Sequence, residues 1–268
     1  MGTEITTARR VLAQRRAVAT LRPTLGRVPA RCLGRVGVGV WGQRLRTRCG
    51  GRSGGLLSRS LRSSRGDLVA ELRSFIFLNR LQPQTMCYLG SWIRGSLPRS
   101  DVAAQIIEVA PGLDIEALTD VALKHAGVRA GILVVERQFG YLEIHGANDD
   151  VSAAGSAVLE ALGAKASDAT RPQVLASKII SMMDPQHAFL INRNKIGSMA
   201  LAGESLFVLE MQPASYAILA ANEAEKAARI KVVDYRMIGA TGRVYLSGAE
   251  ADVRQAAEAA EGALRSLA

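Results

Sequence analysis

The sequence is poor in aromatic residues and in side chains that bind metals. Phe, Trp and Tyr make up 4% of its 268 residues, and it contains three His and three Cys. The cysteines, Cys32, Cys49 and Cys87, form no CxxC pair, and no metal-site spacing appears among them and the histidines. We therefore expect no metal site and no cofactor, and we expect the cysteines to be reduced thiols, with Cys87 buried.

The chain also lacks long apolar runs and, near its beginning, acidic residues. No run of 18 apolar residues is present, so we expect no transmembrane helix. Residues 1–65 contain fifteen Arg, no Lys and a single acid, Glu4, whereas residues 66–268 carry 19 basic and 23 acidic side chains. The formal net charge of +10 therefore comes from the N-terminal segment, and the remainder does not have the charge of a nucleic-acid-binding protein.

The segment 1–66 is predicted to be a disordered basic tail, because Gly, Pro and Ser interrupt any amphipathic period. Three interpretations of it remain open. The tail docks on an acidic partner by charge, or it is an Arg-rich, acid-poor transit peptide, or it is an upstream extension that is not made in the cell.

The rest of the chain contains one segment twice. Residues 72–162 align with residues 174–264 without a gap, at a constant offset of 102 residues. Among the identical pairs are Pro83 and Pro185, Pro111 and Pro213, Lys124 and Lys226, Gly140 and Gly242, and Gly146 and Gly248. Two repeats are too few for a solenoid. We therefore predict two domains after the tail, 67–166 and 167–268, and we call the two aligned segments the first and the second copy.

Each copy has the pattern strand, helix, strand, helix, strand, strand, helix, which predicts an α+β fold with a small, mostly antiparallel sheet and flanking helices. The first helix is predicted from 82 to about 93. Helix N-caps are predicted at Asp114 and at Asp149 or Asp150, a helix start is predicted at Asp184, and a helix end is predicted at Gly163. Residues 164–171 are small and polar, as expected of an interdomain linker.

Several motifs resemble those of bacterial microcompartment shell proteins. The resemblance to a single shell domain lies in Phe207–Met211, Asn222–Ala227, Ile238–Gly242 and Arg243–Gly248. The resemblance to the gated-pore tandem shell proteins of the α-carboxysome lies in Glu71–Leu78, Val135–Arg137 and Leu190–Arg193. In most family members a strand and a short helix follow the last large helix, but here they precede the first strand in both copies. The chain is therefore similar to tandem, circularly permuted shell proteins.

The resemblance covers about 70–268 and implies a structural, non-enzymatic role. The expected assembly is a homotrimer with pseudo-sixfold symmetry, alone or stacked face to face as two trimers. Its expected location is a carboxysome shell in the cytoplasm, beside other hexameric shell proteins. A gated central pore is expected to pass metabolites such as sugar phosphates, since the Arg fork suits phosphate esters.

The resemblance also assigns roles to residues. Glu136 and Arg137 are expected to gate the pore, and Lys124 and Lys226 are expected to lie at the tile edge. The expected pore lining consists of Gln138, Phe139, Gly140, Gly239, Ala240, Thr241 and Gly242. Without the resemblance, a Glu-Arg pair at this place is an ordinary solvated hairpin tip, and the lysines are ordinary helix-terminal residues.

Three other functions stay open at this point. The chain could be a shell tile of a different microcompartment, or a small-molecule sensor made of two ferredoxin-like domains. It could also bind RNA or DNA through its Arg-rich tail, although nucleic acid is not the expected partner. No nucleophile–base pair or metal set supports an enzyme.

Overall fold

The computed structural model describes residues 70–267, which form two four-stranded antiparallel sheets. The first sheet, in the order β1-β2-β4-β3, consists of β1 (Glu71–Leu78), β2 (Ala103–Ala110), β3 (Arg129–Glu136) and β4 (Phe139–Gly146). The second, in the order β5-β6-β8-β7, consists of β5 (Gln173–Ile180), β6 (Ser205–Gln212), β7 (Lys231–Arg236) and β8 (Gly242–Gly248). The predicted α+β fold with antiparallel sheets is confirmed.

The helices follow the predicted order in both copies. They are α1 (Pro83–Leu89), α2 (Ile115–His125), α3 (Asn148–Leu162), α4 (Pro185–Asn194), α5 (Tyr216–Ala227) and α6 (Glu250–Arg265). The first helix is shorter than predicted, because the chain leaves it in a turn at Gly90. Gly163 ends α3 in the left-handed conformation, with φ +66°, as the sequence predicted.

Two of the predicted helix caps are wrong. Asp114 ends a 3₁₀ turn that runs directly into α2, so α2 needs no cap there, and the Asp114 carboxylate instead accepts the N–H of Ala70 at 2.9 Å. At α3 the residue before the helix is Ala147, which provides no side-chain cap. Asp149 and Asp150 lie in the first turn, where a carboxylate interacts favourably with the helix dipole.

The helix start predicted at Asp184 is confirmed, and Asp184 also caps the helix. Its carboxylate accepts the backbone N–H of Gln186 at 2.8 Å, and Pro185 occupies the first turn, where its missing N–H costs nothing.

Each sheet is covered on both faces. In the first copy α2 and α3 share a core with one face of the sheet, formed by Ile115, Leu118, Ala122, Val151, Ala154, Val158, Ile107, Leu142 and Ile144. Because neighbouring strand residues point to opposite faces, Ile106 belongs to a different core from Ile107, and that core contains Leu81 and Leu89 from the α1 region. This second core continues into the second copy, so the two copies share one hydrophobic interior.

The connector between the copies is mostly exposed, but its backbone is hydrogen-bonded to both of them. It contains a 3₁₀ turn at Ala166–Asp168. Thr170 donates its N–H to the carbonyl of Arg73 at 3.1 Å and accepts the hydroxyl of Tyr216 at 3.0 Å. Burial raises the pKa of Tyr216 to about 12. The connector thus joins a strand of the first copy to a helix of the second.

The expectation for Cys87 is wrong, because its side chain is exposed on α1. The helix turns its neighbours Tyr88 and Leu89 inward instead. Cys32, Cys49 and the predicted basic tail lie outside the described residues. No helix within 70–267 combines the length and apolar character needed to cross a membrane.

Candidate functional site

The two copies meet where α1 docks on the second copy. The N–H groups of Gln84 and Thr85, at the start of α1, both donate to the Glu225 carboxylate at 2.8 Å, and the Thr85 hydroxyl adds a third hydrogen bond at 2.9 Å. These backbone groups have no partner inside their own helix. A carboxylate from the second copy therefore caps a helix of the first.

Two tyrosines complete this junction. Tyr88 of α1 donates its hydroxyl to Asp234, and its ring lies 4.1 Å from that of Tyr235. Tyr235 donates in turn to the carbonyl of Thr85 at 2.9 Å. Burial is the main cause that raises the pKa of both tyrosines, so both stay neutral donors at physiological pH. The junction is buried and fully bonded at these positions.

The residues that align with the junction residues in the other copy are exposed. Tyr88 is 3% exposed but its aligned residue Leu190 is 58% exposed, and Tyr235 is fully buried but its aligned residue Leu133 is 38% exposed. Met237 and Val135 show the same contrast, at 4% and 40%. The exposed side chains on α4 and on β3 thus occupy the positions that form the buried junction in the other copy.

The two loops that the sequence analysis assigned to the pore lie side by side. The β3–β4 hairpin and the segment before β8 border one cleft of about 640 Å³. Its lining residues are Trp92, Glu136, Arg137, Gln138, Phe139, Arg236, Met237, Ile238, Gly239 and Ala240. The structure therefore brings residues about 100 positions apart to a shared surface.

Glu136 and Arg137 stand at the hairpin tip. Their charged groups are 3.7 Å apart, and the Arg137 side chain is 90% exposed. Arg137 also has a positive φ of 56°. An exposed ion pair at this separation contributes little stability, so both side chains are free to adopt other positions.

The remaining predicted lining residues divide into two groups. Gln138 and Ala240 are exposed, and Gly239 and Thr241 are half-buried. Phe139, Gly140 and Gly242 are buried, so they support the loops from below. These three buried residues hold the exposed loop residues in place.

Gly140 and Gly242 are required by close packing within the chain. A Cβ at Gly140 would overlap the carbonyl oxygen of Gly112, and one at Gly242 would overlap that of Ala214. Of the loop glycines, Gly239 has the positive φ, at 130°.

Tyr141 connects the two loops. Its hydroxyl accepts the N–H of Gly239 at 2.9 Å and donates to the carbonyl of the same residue at 3.0 Å. Burial and the nearby Glu108 carboxylate raise the pKa of Tyr141. Sequence reasoning missed this contact, since the aligned residue in the second copy is Arg243 and the repeat gives no hint of a tyrosine there.

Two aligned carboxylates support the loops. Glu108 is fully buried and accepts Arg73 Nε at 2.7 Å, while the Arg73 guanidinium lies 4.2 Å from the centre of the Phe139 ring. Glu210 accepts the Thr241 hydroxyl at 3.2 Å and Arg243 at 3.0 Å. The identity of these two glutamates was visible in the repeat, but their position beneath the loops was not.

The two lysines lie at helix ends, as predicted, and both are exposed. Lys124 pairs with Asp120 at 2.5 Å, and Lys226 pairs with Glu223 at 2.7 Å. Their place at a tile edge stays a prediction. Within residues 70–267, no cluster of His, Cys, Asp and Glu is arranged to hold a metal ion.

Replacement of Tyr141 by Phe is expected to loosen the second-copy loop. The change leaves the N–H and carbonyl of Gly239 without their partner, which should lower the free energy of unfolding by about 1–2 kcal/mol. Denaturant unfolding and amide exchange at Gly239 measure the effect. Tyr245→Phe is the control, because no hydrogen bond to the Tyr245 hydroxyl is present among the described residues, and it should change stability by less than about 0.5 kcal/mol. Equal exchange in both variants would show that Tyr141 does not hold the loop.

Two family models match the chain. The model of the CsoS1D N-terminal domain matches residues 72–168, and that of the BMC domain matches residues 205–268. Together the two matches span most of the two copies.

Curated relatives and solved structures agree with these models. The chain is 46% identical to the carboxysome shell protein CcmP of Synechococcus elongatus, covering 74% of this chain and 93% of that protein. It is 44% identical to the carboxysome shell protein CsoS1D of Hydrogenovibrio crunogenus, covering 74% and 98%.

Two solved structures are similar along the same part of the chain. The fused permuted hexameric shell protein from the RMM microcompartment is 75% identical, with a TM-score of 0.73 and coverage of 74% of this chain and 98% of that chain. The double ringed trimeric shell protein from the same microcompartment is 45% identical, with a TM-score of 0.71 and coverage of 74% and 97%.

Proposed function

Because the chain belongs to the family of bacterial microcompartment shell proteins with tandem permuted domains, we propose that it forms a homotrimeric shell tile with a gated central pore. The family predicted from the sequence motifs is confirmed, as is the permuted tandem architecture. The relatives are named as structural shell proteins, which supports a structural rather than an enzymatic role.

The proposal of a trimer rests on the junction between the copies: it is buried within the chain, but the equivalent surfaces on α4 and β3 are exposed. In one chain, α1 of the first copy is buried against the second copy. The corresponding helix α4 carries the exposed Leu190, and the corresponding surface of the first copy carries the exposed Leu133 and Val135. If α4 of each chain docks on the first copy of the next, all neighbouring domains make the same kind of contact. Such a head-to-tail contact forms a ring when its rotation closes, as in the proposed trimer. Three chains then provide six similar domains.

The pore would lie where the loops of six domains converge. Three hairpins would bring Glu136 and Arg137, and three second-copy loops would bring Gly239 to Thr241. Exposed charge pairs contribute up to about 1 kcal/mol each. Three Glu136–Arg137 sets are therefore sufficient to favour an occluded or an open arrangement without making either permanent.

The substances proposed to pass are anionic metabolites such as sugar phosphates. Arg137 and Arg236 both line the cleft at the loops, and the planar guanidinium matches phosphate oxygens. Other hexameric shell proteins are the proposed lateral neighbours, with Lys124 and Lys226 at the contact.

The type of microcompartment has two candidates. The curated relatives at 44–46% identity are carboxysome shell proteins, which supports a carboxysome shell and a role in carbon dioxide fixation. A specific observation favours the second candidate: the shell protein that is 75% identical comes from the RMM microcompartment. We therefore propose a shell of that second type as the alternative location, with its own cargo.

The native mass of the purified full chain tests the assembly. We expect light scattering to give three chains, or six if two trimers stack face to face. A monomer at high concentration would remove the symmetry axis on which the pore depends. The sensor interpretation would then become the better explanation of two linked α+β domains.

The gate is tested by the double variant Glu136→Ala with Arg137→Ala. Since both side chains are exposed at the hairpin tip, the trimer should remain intact, and its crystal structure should show the pore in the open form only. A double variant that still closes would place the gate in other residues. The single variant Gln138→Ala, at the same tip, is the control and should leave both forms accessible.

A further inference from the structure

The two loops align in sequence but differ in shape: the first-copy hairpin is paired up to Glu136 and Phe139, whereas strand pairing in the second copy ends at Arg236 and Arg243. Arg137 in the first copy aligns with Gly239 in the second, and both have positive φ, at 56° and 130°. Gly239 is held by the side chain of Tyr141 from the first copy. The residue that aligns with Tyr141 is Arg243. Within the trimer proposed above, the position of Arg243 in one protomer would correspond to that of Tyr141 and would lie near Arg137 of the next.

The carboxylate beneath Arg243 is incompletely bonded. Thr241 Oγ1 and the Nε and Nη2 atoms of Arg243 reach the same oxygen, Oε1 of Glu210, at 3.2, 3.1 and 3.0 Å. Its Oε2 receives no donor from the described part of the chain, and the side chain is 30% exposed. One oxygen of Glu210 is thus available to a donor from outside.

The aligned Glu108 shows where that donor should come from. Its Oε1 accepts Arg73, and its Oε2 accepts the hydroxyl of Ser215, which belongs to the second copy, at 2.6 Å. The second oxygen therefore points across the junction. For Glu210 the residue aligned with Ser215 is Leu113, which has no donor. Across the junction between chains, the Oε2 of Glu210 would face an aliphatic side chain and the nearby Arg137.

We infer that Glu210 of the neighbouring protomer is the second partner of Arg137 and defines its alternative position at the pore. This inference rests on the proposed trimer. In one position the guanidinium lies beside Glu136 of its own chain, and in the other it donates to the free oxygen of Glu210 across the junction. Glu210 is thus a positioning residue of the gate.

Arg243 prevents this second position from becoming permanent. Its guanidinium already occupies one oxygen of Glu210, so an approaching Arg137 meets a like charge as well as a carboxylate. Repulsion between two guanidinium groups at close range offsets part of the attraction. Both positions of Arg137 then stay populated, as a gate requires.

Paired cysteines test the proximity, in the full chain with Cys32, Cys49 and Cys87 replaced by Ser. Gln138→Cys with Arg243→Cys should be joined between chains by a short bismaleimide, giving a band of three chains on a denaturing gel. The control is the aligned pair, Ala240→Cys with Tyr141→Cys, which should be joined within one chain and migrate as a monomer. Light scattering on both variants separates the two hypotheses: monomers contradict the proposed trimer, whereas trimers that do not crosslink contradict this inference alone.

Crystal structures of charge variants test the role of Glu210. In Glu210→Gln, Arg137 should be found beside Glu136 only. In Glu136→Gln, it should be found within hydrogen-bond distance of Glu210 of the partner subunit. Glu210→Asp keeps the charge and should retain both positions if the loop shifts to meet it. A distribution of Arg137 that is the same in the Glu210→Gln variant and in the unchanged protein would overturn the inference.

Discussion

Replacement of Leu190 by Glu is expected to convert the trimer into single folded chains. Leu190 is 58% exposed in the chain, but it aligns with Tyr88, which is 3% exposed at the junction within the chain. Docking of α4 on the next protomer would bury this position. A Leu side chain contributes roughly 1.5–3 kcal/mol on burial, and an unpaired carboxylate in its place adds a desolvation cost. Since three such junctions close the ring, light scattering should show monomers at concentrations where the unchanged protein is trimeric.

The control for this experiment is Met199→Glu. Met199 has nearly the same exposure, at 56%, and its aligned residue Leu97 stays 67% exposed although α1 of the first copy is docked within the chain. It therefore lies outside the junction, and the variant should remain trimeric. Circular dichroism should show both variants folded. A trimeric Leu190→Glu variant would mean that α4 is not the contact, and the arrangement of the six domains would have to be different.

Replacement of Gly242 by Ala is expected to cost about 3 kcal/mol of the free energy of unfolding, in the upper range for overpacked sites. The added Cβ would overlap the backbone of Ala214 at the start of α5. Backbone atoms cannot move aside as the end of a side chain can, so β8 and α5 would have to separate. The same reasoning applies to Gly140, whose Cβ would meet Gly112 and Ile115. Chemical denaturation measures the loss.

Gly262 provides the matched control. It lies within α6, and a Cβ added there meets no atom within 4 Å. Ala is a better helix former than Gly by about 1 kcal/mol, so Gly262→Ala should raise the stability. If Gly242→Ala were as stable as the unchanged protein, the close packing of β8 on α5 would not be a requirement of the fold.

The residues that carry the gate could be named from the sequence because their signal is local. Glu136 and Arg137 stand between two β-rich segments, so a hairpin tip was predictable from the pattern alone, and the family resemblance then assigned them a role. The structure places them at that tip. Their gating role remains a prediction, because it depends on a symmetry axis that one chain does not contain.

The helix caps show how a local signal fails. Asp114 has the residue type of an N-cap, but it serves the N–H of Ala70, which is 44 residues away. At α1 the capping carboxylate is Glu225, about 140 residues further along the chain. A sequence window cannot contain such a partner. Cys87 was misplaced for a related reason, since its residue type favours burial but the packing of α1 directs Tyr88 inward instead.

The sequence by itself determined the duplication, the permuted order of elements and the family, because these are properties of residue order and of local periodicity. Only the tertiary structure decided which face of each copy is already covered. The two copies have the same pattern at Tyr88 and Leu190, yet one residue is buried and the other is exposed. The physical reason is that a chain with two copies can complete one such junction internally, whereas the equivalent surfaces on α4 and β3 have no third copy in the same chain to cover them.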